Sequence, residues 1–438
     1  MRRGVLADYI ILAVVHAALC VFVRRHGFDH VSDDDFARVT IAQAFAHKPR
    51  LDPSGTSWLP FPFWLHGGLM FVTGRSLQMA RAVSIALASA AATAPYVAMR
   101  LVGVSRARAL AGVAFAILSP WSIWLGATTV PESMTASLAA AGVIALGAKN
   151  GGDRRGSLWF GLAFLAACLS RYEPWPMAAL IALVVAVRAV RKDGHGPRRV
   201  ALVLLLAVGP LFWMAWNAKT HGSALHFFHR VSTFKRALGE GAGSPAAALA
   251  MFPKLLFRAR PDVLIAALGA LLFLGRKELR DRWLFPLLAV IAQVAFLAYG
   301  NSRDGAPAHH PERALLGAYF ILAMFSVDVL VAAAVAAFRV WRPSIAPILA
   351  VAGVIGAVFA SSLPQFRTPP GTAPAEQRSA QIAAGKALRK EDPTNVIVTP
   401  CQYEHFALMA EFSKPERVDV RPKLDEPVVK ECPLVERP

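Results

Sequence analysis

The chain has 438 residues, 55% of them hydrophobic and 17% charged, with a mean hydropathy of +0.45. Such a balance excludes an ordinary soluble domain, and repeated apolar runs of bilayer length point to an integral membrane protein. The formal net charge of +19 does not argue for nucleic acid, because much of the basic charge sits in short clusters between apolar runs.

Eleven candidate spans follow from the apolar runs: about 5–23, 77–99, 108–125, 131–148, 157–170, 172–190, 200–217, 261–275, 283–299, 313–337 and 344–362. Met1-Arg2-Arg3 precedes the first run without a small-residue cleavage site, so a retained first helix is expected. Every second connection is short and basic. These connections hold Arg100, Arg106 and Arg108; Lys149, Arg154 and Arg155; Arg188 to Arg199; Arg276 to Arg282; and Arg339 with Arg342. The positive-inside rule puts them and the N-terminus in the cytoplasm, and eleven spans then put the C-terminus outside. The expected location is a plasma membrane, of the bacterial inner-membrane kind. Cys20 and Cys168 fall in apolar runs, and the four cysteines show no metal-ligand spacing.

The first external connection, about 24–76, opens with Val31-Ser32-Asp33-Asp34-Asp35-Phe36. Three adjacent carboxylates near a membrane surface are costly unless they face water, a cation or a substrate. Ser32 or Asp33 as an N-cap, with acids in the first turn, accounts for one or two of them. Ala37, Ile41, Ala44 and Phe45 share one side of the helix that follows, which suits the membrane interface. Ser54-Gly55-Thr56 is a turn, and Trp58 to Trp64 is rich in aromatics of the kind found at headgroup depth.

Later external connections carry further charge. Glu132 is a lone carboxylate where a span begins, and Arg171-Tyr172-Glu173 breaks two spans with a pair that can satisfy itself. The stretch 218–260 holds Arg230, Lys235 and other basic residues among His221, His226, His229, Phe227, Phe228 and Phe234. Basic residues with aromatics on this side suggest an anionic ligand, or headgroup contact with arginines snorkelling at a span start. His309-His310-Pro311-Glu312-Arg313 lies just before a span, and contact with phosphate or sugar suits it better than a metal. Beyond about 363 a proline-rich linker leads to a small α/β appendage, with helices at 375–390 and 403–412 around a buried strand at 395–399. Cys401 and Cys432 both fall there, and a disulfide between them is one possibility.

The order of these features resembles the GT-C superfamily of polyprenyl-phosphate-sugar-dependent glycosyltransferases. Asp34-Asp35 followed by Ile41-Ala42 is similar to the acidic pair and following Ile-Ala of the protein O-mannosyltransferase and aminoarabinose-transferase branch. Ala80-Arg81 with Ser84, and Ser119-Pro120 leading to Pro131-Glu132, look like the same branch. His309 to Arg313 is similar to the late loop of the glycosylphosphatidylinositol and dolichol-pathway mannosyltransferases. All three acids here are aspartates, so Asp33-Asp34 can equally be the matching pair. The resemblance covers about 1–340, within a transmembrane domain of 1–362, and leaves the appendage of 363–438 outside.

The resemblance implies an all-α polytopic enzyme that moves a hexose or pentose, such as mannose, from a polyprenyl-phosphate donor. The acceptor would be a hydroxyl on a glycan, lipid or protein at the external face. A phosphate leaving group needs cationic neighbours more than a general acid, and a carboxylate can take the acceptor's proton. Asp34, then Asp35, then Asp33 are the candidate bases. Arg81, Glu132, Arg171, Glu173, Arg230, Lys235, His309, His310 and Arg313 are the candidate substrate contacts. No cofactor is expected, and a divalent cation held by the aspartates is the less favoured role. A polytopic lipid or solute transporter is the competing reading, although transporters bind near the midplane rather than in external loops.

Overall fold

A chain in lipid must close its own backbone hydrogen bonds, and apolar runs do so as helices. The computed structural model describes residues 3–148, 156–190, 196–237, 244–307, 310–338, 353, 356, 369–370, 377–399 and 403–421, and these are predominantly helical. Among the described residues, five stretches are long and apolar enough to cross a membrane: Gly4–Arg25, Leu77–Leu101, Gly196–His221, Lys277–Ser302 and Pro311–Ala336. Glu132–Gly147, Ser157–Cys168, Pro174–Ala189 and Pro261–Leu271 are shorter apolar helices. The run expected to span 108–125 is instead a bent pair, Arg106–Ile117 and Pro120–Ala127, meeting at 67°. Pro120 explains the break, since it cannot donate to the preceding turn. The span expected at 344–362 lies outside the described residues but for Gly353 and Gly356.

Many apolar side chains lie on the outside. Phe71, Val72, Trp159, Val190 and Leu272 are all exposed, and so are Ile10, Ile11 and Val14 of α1 (Arg3–Arg25). Only 22% of the apolar window of α1 is buried within the fold, against 72% for Pro311–Ala336. Such a surface is stable in lipid and not in water. The chain is an integral membrane protein.

The centre of the bundle is α8 (Glu132–Gly147), whose residues are all buried except Leu138. Its sequence is mostly Ala, Gly, Ser and Thr, and small side chains let neighbouring helices approach closely. Around it pack α4 (Leu77–Ala92), α5 (Ala94–Leu101), α9 (Ser157–Cys168) and α16 (Leu316–Phe338). Arginines of two basic connections, 100–108 and 276–282, are held by buried aspartates. Asp8 accepts from Tyr96 at 2.5 Å and from Arg106 at 2.6 and 2.8 Å. Asp328 is bridged by Arg108 at 2.9 Å and Arg282 at 2.8 Å.

At the other end of α1 lie α2 (Asp34–His47) and α3 (Phe61–Thr73). They pack so tightly that a Cβ at Gly67 would stand 2.7 Å from the carbonyl oxygen of Ala42. The C-terminal appendage covers α2 from another side. Gln43 donates to Ala410 at 2.7 Å, and Arg75 forms a two-pronged bridge to Glu416 at 2.9 and 3.0 Å. This double cover buries α2 around most of its circumference, more than the one-sided interfacial helix expected. Within the appendage, helices Ser379–Glu391 and His405–Phe412 pack together. Val396–Val398 pairs in parallel with Val418–Val420, so there are two strands where one was expected, and the first is half-exposed rather than buried. Cys401 and Cys432 lie outside the described residues.

Candidate functional site

The three aspartates part company because successive residues on a helix point about 100° apart. Asp35 is buried and accepts three backbone N–H groups, from Val31 at 2.9 Å, Ser32 at 3.2 Å and Thr129 at 3.1 Å. Thr129 returns the contact by donating its hydroxyl to the Asp35 carbonyl at 2.6 Å. Burial pushes the Asp35 carboxyl up, against the pull of those N–H groups and of His30. The expected cap is therefore corrected. Asp33, in the N-cap position, makes no side-chain cap, because Arg378 of the appendage holds its carboxylate at 2.7 and 2.9 Å. Asp35 instead reaches back to hold the N–H groups of Val31 and Ser32, which lead into the helix.

Asp34 is left with its side chain 42% exposed, and the Arg313 guanidinium stands 3.6 Å from it. The staple between Asp35 and Thr129 sets this position, since Thr129 leads directly into α8. Glu132, the first residue of α8, is buried at the positive end of the helix dipole. It is bridged by Arg171 at 2.6 Å and lies 3.6 Å from the Arg313 guanidinium. Arg171 also grips Glu173, at 2.5–3.0 Å. Burial would lower the Arg171 pKa, but the carboxylates of Glu132, Glu173 and Asp34 raise it instead. A full-time positive charge is thus held close to Asp34. Arg313 arrives on a 3-10 turn, Pro311–Leu315, which leads into α16. Before it, His310 adopts a left-handed backbone (φ 48°) with its ring 5.9 Å from Trp121.

One member of this group is absent from the sequence reading. Arg38 is buried, with its guanidinium 4.4 Å from the Trp58 ring centroid and 5.7 Å from that of Phe63. Its Nε and Nη1 have no hydrogen-bond partner among the described residues. Burial lowers its pKa, and the nearby carboxylates of Glu132 and Asp34 work the other way. The signal was available: Arg38 stands four residues after Asp34, hence on the same side of α2. Trp58 is steadied in turn by its neighbours, since Tyr172 donates to the Ser57 carbonyl at 2.5 Å and stacks on Phe227 at 4.4 Å.

No protein-family model and no curated protein sequence matches this chain. The chemistry of the site therefore rests on its own residues.

Asp34, Arg38, Glu132, Arg171, Glu173 and Arg313 come together at one end of the bundle. Other expected contacts do not join them. Arg81 is committed to Asp29 at 2.6 Å, beside the site. Burial alone would raise the Asp29 carboxyl, yet His30, Arg81 and Arg24 hold it down to about 2. Lys235 is buried and donates to Asn301 at 2.8 Å, a bond that ties the helix His226–Ala237 to the end of the helix Lys277–Ser302. Arg230 is exposed on the helix His226–Ala237, close enough to influence Tyr403 of the appendage. His309 lies outside the described residues. Among the described residues, no three His, Cys, Asp or Glu side chains gather as a metal site.

Three cationic side chains around an accessible carboxylate can hold a phosphate and leave a base free beside it. Arginine suits that task because its planar fork meets phosphate oxygens two at a time.

Proposed function

We propose that the chain is a GT-C-type glycosyltransferase that moves a sugar from a polyprenyl-phosphate donor to a hydroxyl acceptor. In this reading all eleven spans cross the membrane, the N-terminus is cytoplasmic, and the catalytic end faces outward with the appendage. The observation that carries it is the gathering of Arg38, Arg171 and Arg313 around an accessible Asp34 at one end of the bundle. The isoprenoid chain would lie along the exposed apolar faces, which brings its phosphate to the arginines. Their charge stabilises the phosphate as it leaves, and Asp34 takes the proton from the attacking hydroxyl. The new bond joins the sugar's anomeric carbon to the acceptor oxygen, and the bond to the phosphate oxygen breaks. Glu132 keeps Arg171 and Arg313 fixed between turnovers, so no solvent reorganisation is needed as charge develops.

A transporter is the second reading, and the broken pair Arg106–Ile117 and Pro120–Ala127 is the observation that favours it. Against it, the ionised cluster sits at the end of the bundle rather than at such a break. The test is consumption of polyprenyl-phosphate sugar in membranes carrying the normal chain or Asp34→Asn. Consumption that depends on Asp34 is expected; equal consumption by both, or none by either, would sink the proposal.

A further inference from the structure

The helix Pro245–Ala259 is apolar on two sides. On one side Ala248 and Phe252 are buried, and Phe252 shares a packed cluster with Leu297, Ala314 and Leu315. Side-chain hydrogen bonds fasten this side to the bundle. Asn301 donates to the Ala248 carbonyl at 3.0 Å, and the Tyr319 hydroxyl lies 3.2 Å from the carbonyl oxygens of Leu255 and Leu256. Asn301 stands in the last turn of the apolar helix Lys277–Ser302, opposite the end where Arg282 bridges Asp328. The start of Pro245–Ala259 is thereby pinned at that end, and the shared cluster sets it beside the turn that carries Arg313.

The other side is open. Leu249 and Phe257 are 47% and 49% exposed, and Lys254 and Arg258 are exposed next to them. Apolar side chains so placed are stable against acyl chains, whereas bare cations beside them are costly there. Asp262, the nearest carboxylate in the sequence, is already held by Arg260 at 2.8 and 3.0 Å. Among the described residues, no ion pair or hydrogen bond engages the side chain of Lys254 or Arg258.

Their placement suits a phosphate. Residues four apart on a helix stand about 6 Å from each other, so one phosphate meets both cations. Helical side chains also lean toward the N-terminus, which is the pinned end. Both long stems therefore run back along the apolar surface toward headgroup depth. We propose that Lys254 and Arg258, with Leu249 and Phe257, form a binding site for an anionic phospholipid. Its phosphodiester lies between the two cations and its acyl chains follow the apolar strip. A zwitterionic headgroup offers the same phosphate but adds a positive charge, which the pair repels. This site stands apart from the Asp34 cluster and needs no transfer reaction.

The experiment titrates the delipidated full chain in detergent with phosphatidylglycerol or phosphatidylcholine of the same acyl chains, and native mass spectrometry counts the bound lipid. The normal chain should bind phosphatidylglycerol more tightly than phosphatidylcholine. Lys254→Gln combined with Arg258→Gln should weaken phosphatidylglycerol roughly 30-fold, about fivefold for each cation, and leave phosphatidylcholine unchanged. Both side chains are exposed, so neither substitution removes a packed or bonded group from the fold. Equal affinity of the normal chain for the two lipids would overturn the proposal. So would an unchanged phosphatidylglycerol affinity in the double variant. A last arm adds an equimolar polyprenyl monophosphate to the chain loaded with phosphatidylglycerol. Most of the phosphatidylglycerol should stay bound; its displacement would assign the two cations to an isoprenoid lipid and overturn the phospholipid site.

Discussion

The carboxylate of Asp34 and the guanidinium of Arg313 stand 3.6 Å apart, although one lies in the first long connection and the other in the first turn of the last described span. The same guanidinium lies 3.6 Å from Glu132, so Arg313 sits between an accessible acid and a buried one. Both separations exceed a hydrogen bond, which leaves room for an oxygen anion to draw Arg313 toward itself. A resting pair of this kind protects a base from permanent neutralisation while keeping a cation at hand.

If Asp34 is the base, Asp34→Asn keeps the shape and removes the proton acceptor. Turnover is expected to fall by about 10²–10⁴-fold with donor binding little changed. Single-turnover kinetics alongside donor-binding measurements check this, and near-normal turnover would remove Asp34 from the mechanism.

Asp35 should behave differently, because its three backbone partners make it a positioning residue. Asp35→Ala leaves those N–H groups unmet and should cost roughly 1.5–3 kcal/mol of stability. A lowered Tm in detergent is the expected readout. An unchanged Tm would show that the staple to Thr129 does not hold the acidic stretch in place.

Asp33 is tied to the appendage through Arg378. Asp33→Asn and Arg378→Gln should each loosen the docking of 377–421, and the double variant should be no worse than either alone. Limited proteolysis reads this directly. A chain ended near residue 366 should keep measurable transfer, with altered acceptor preference, if the appendage serves the site rather than forming it.

The bridge between Arg75 and Glu416 should make docking sensitive to acid. Burial works to raise the Glu416 carboxyl, but hydrogen bonds from Arg75 and its own backbone N–H hold it below its ordinary 4.5. A depressed acid stabilises the docked form above its undocked pKa, and that contribution is lost as pH falls through 4.5 and below. Protease sensitivity of the appendage should therefore rise below about pH 4.5 in normal protein. In Glu416→Gln this dependence should flatten; an identical acid response in both chains would count against the bridge.

Reporter fusions test the proposed sidedness. Residues near 195 and 278 should report inside, and residues near 52, 230 and 400 outside. Residue 400 in the cytoplasm would overturn the eleven-span count.

The sequence by itself determined the membrane character, because apolar runs and their basic flanks are local properties that survive without any knowledge of packing. It also singled out Asp34, Glu132, Arg171 and Arg313, since a charge beside an apolar run is conspicuous wherever it occurs. Only the tertiary structure decided what each charge does. Asp33, Asp34 and Asp35 are chemically identical neighbours, and they separate because Arg378, Arg313 and Thr129 arrive from distant parts of the chain. For Arg38 the spacing from Asp34 gave the side of the helix but not its surroundings. Its burial comes from Trp58, Phe63 and the cover over α2, which no pattern within α2 reveals. Local spacing fixes which side of a helix a residue occupies; what stands opposite depends on long-range contacts that the sequence pattern does not encode.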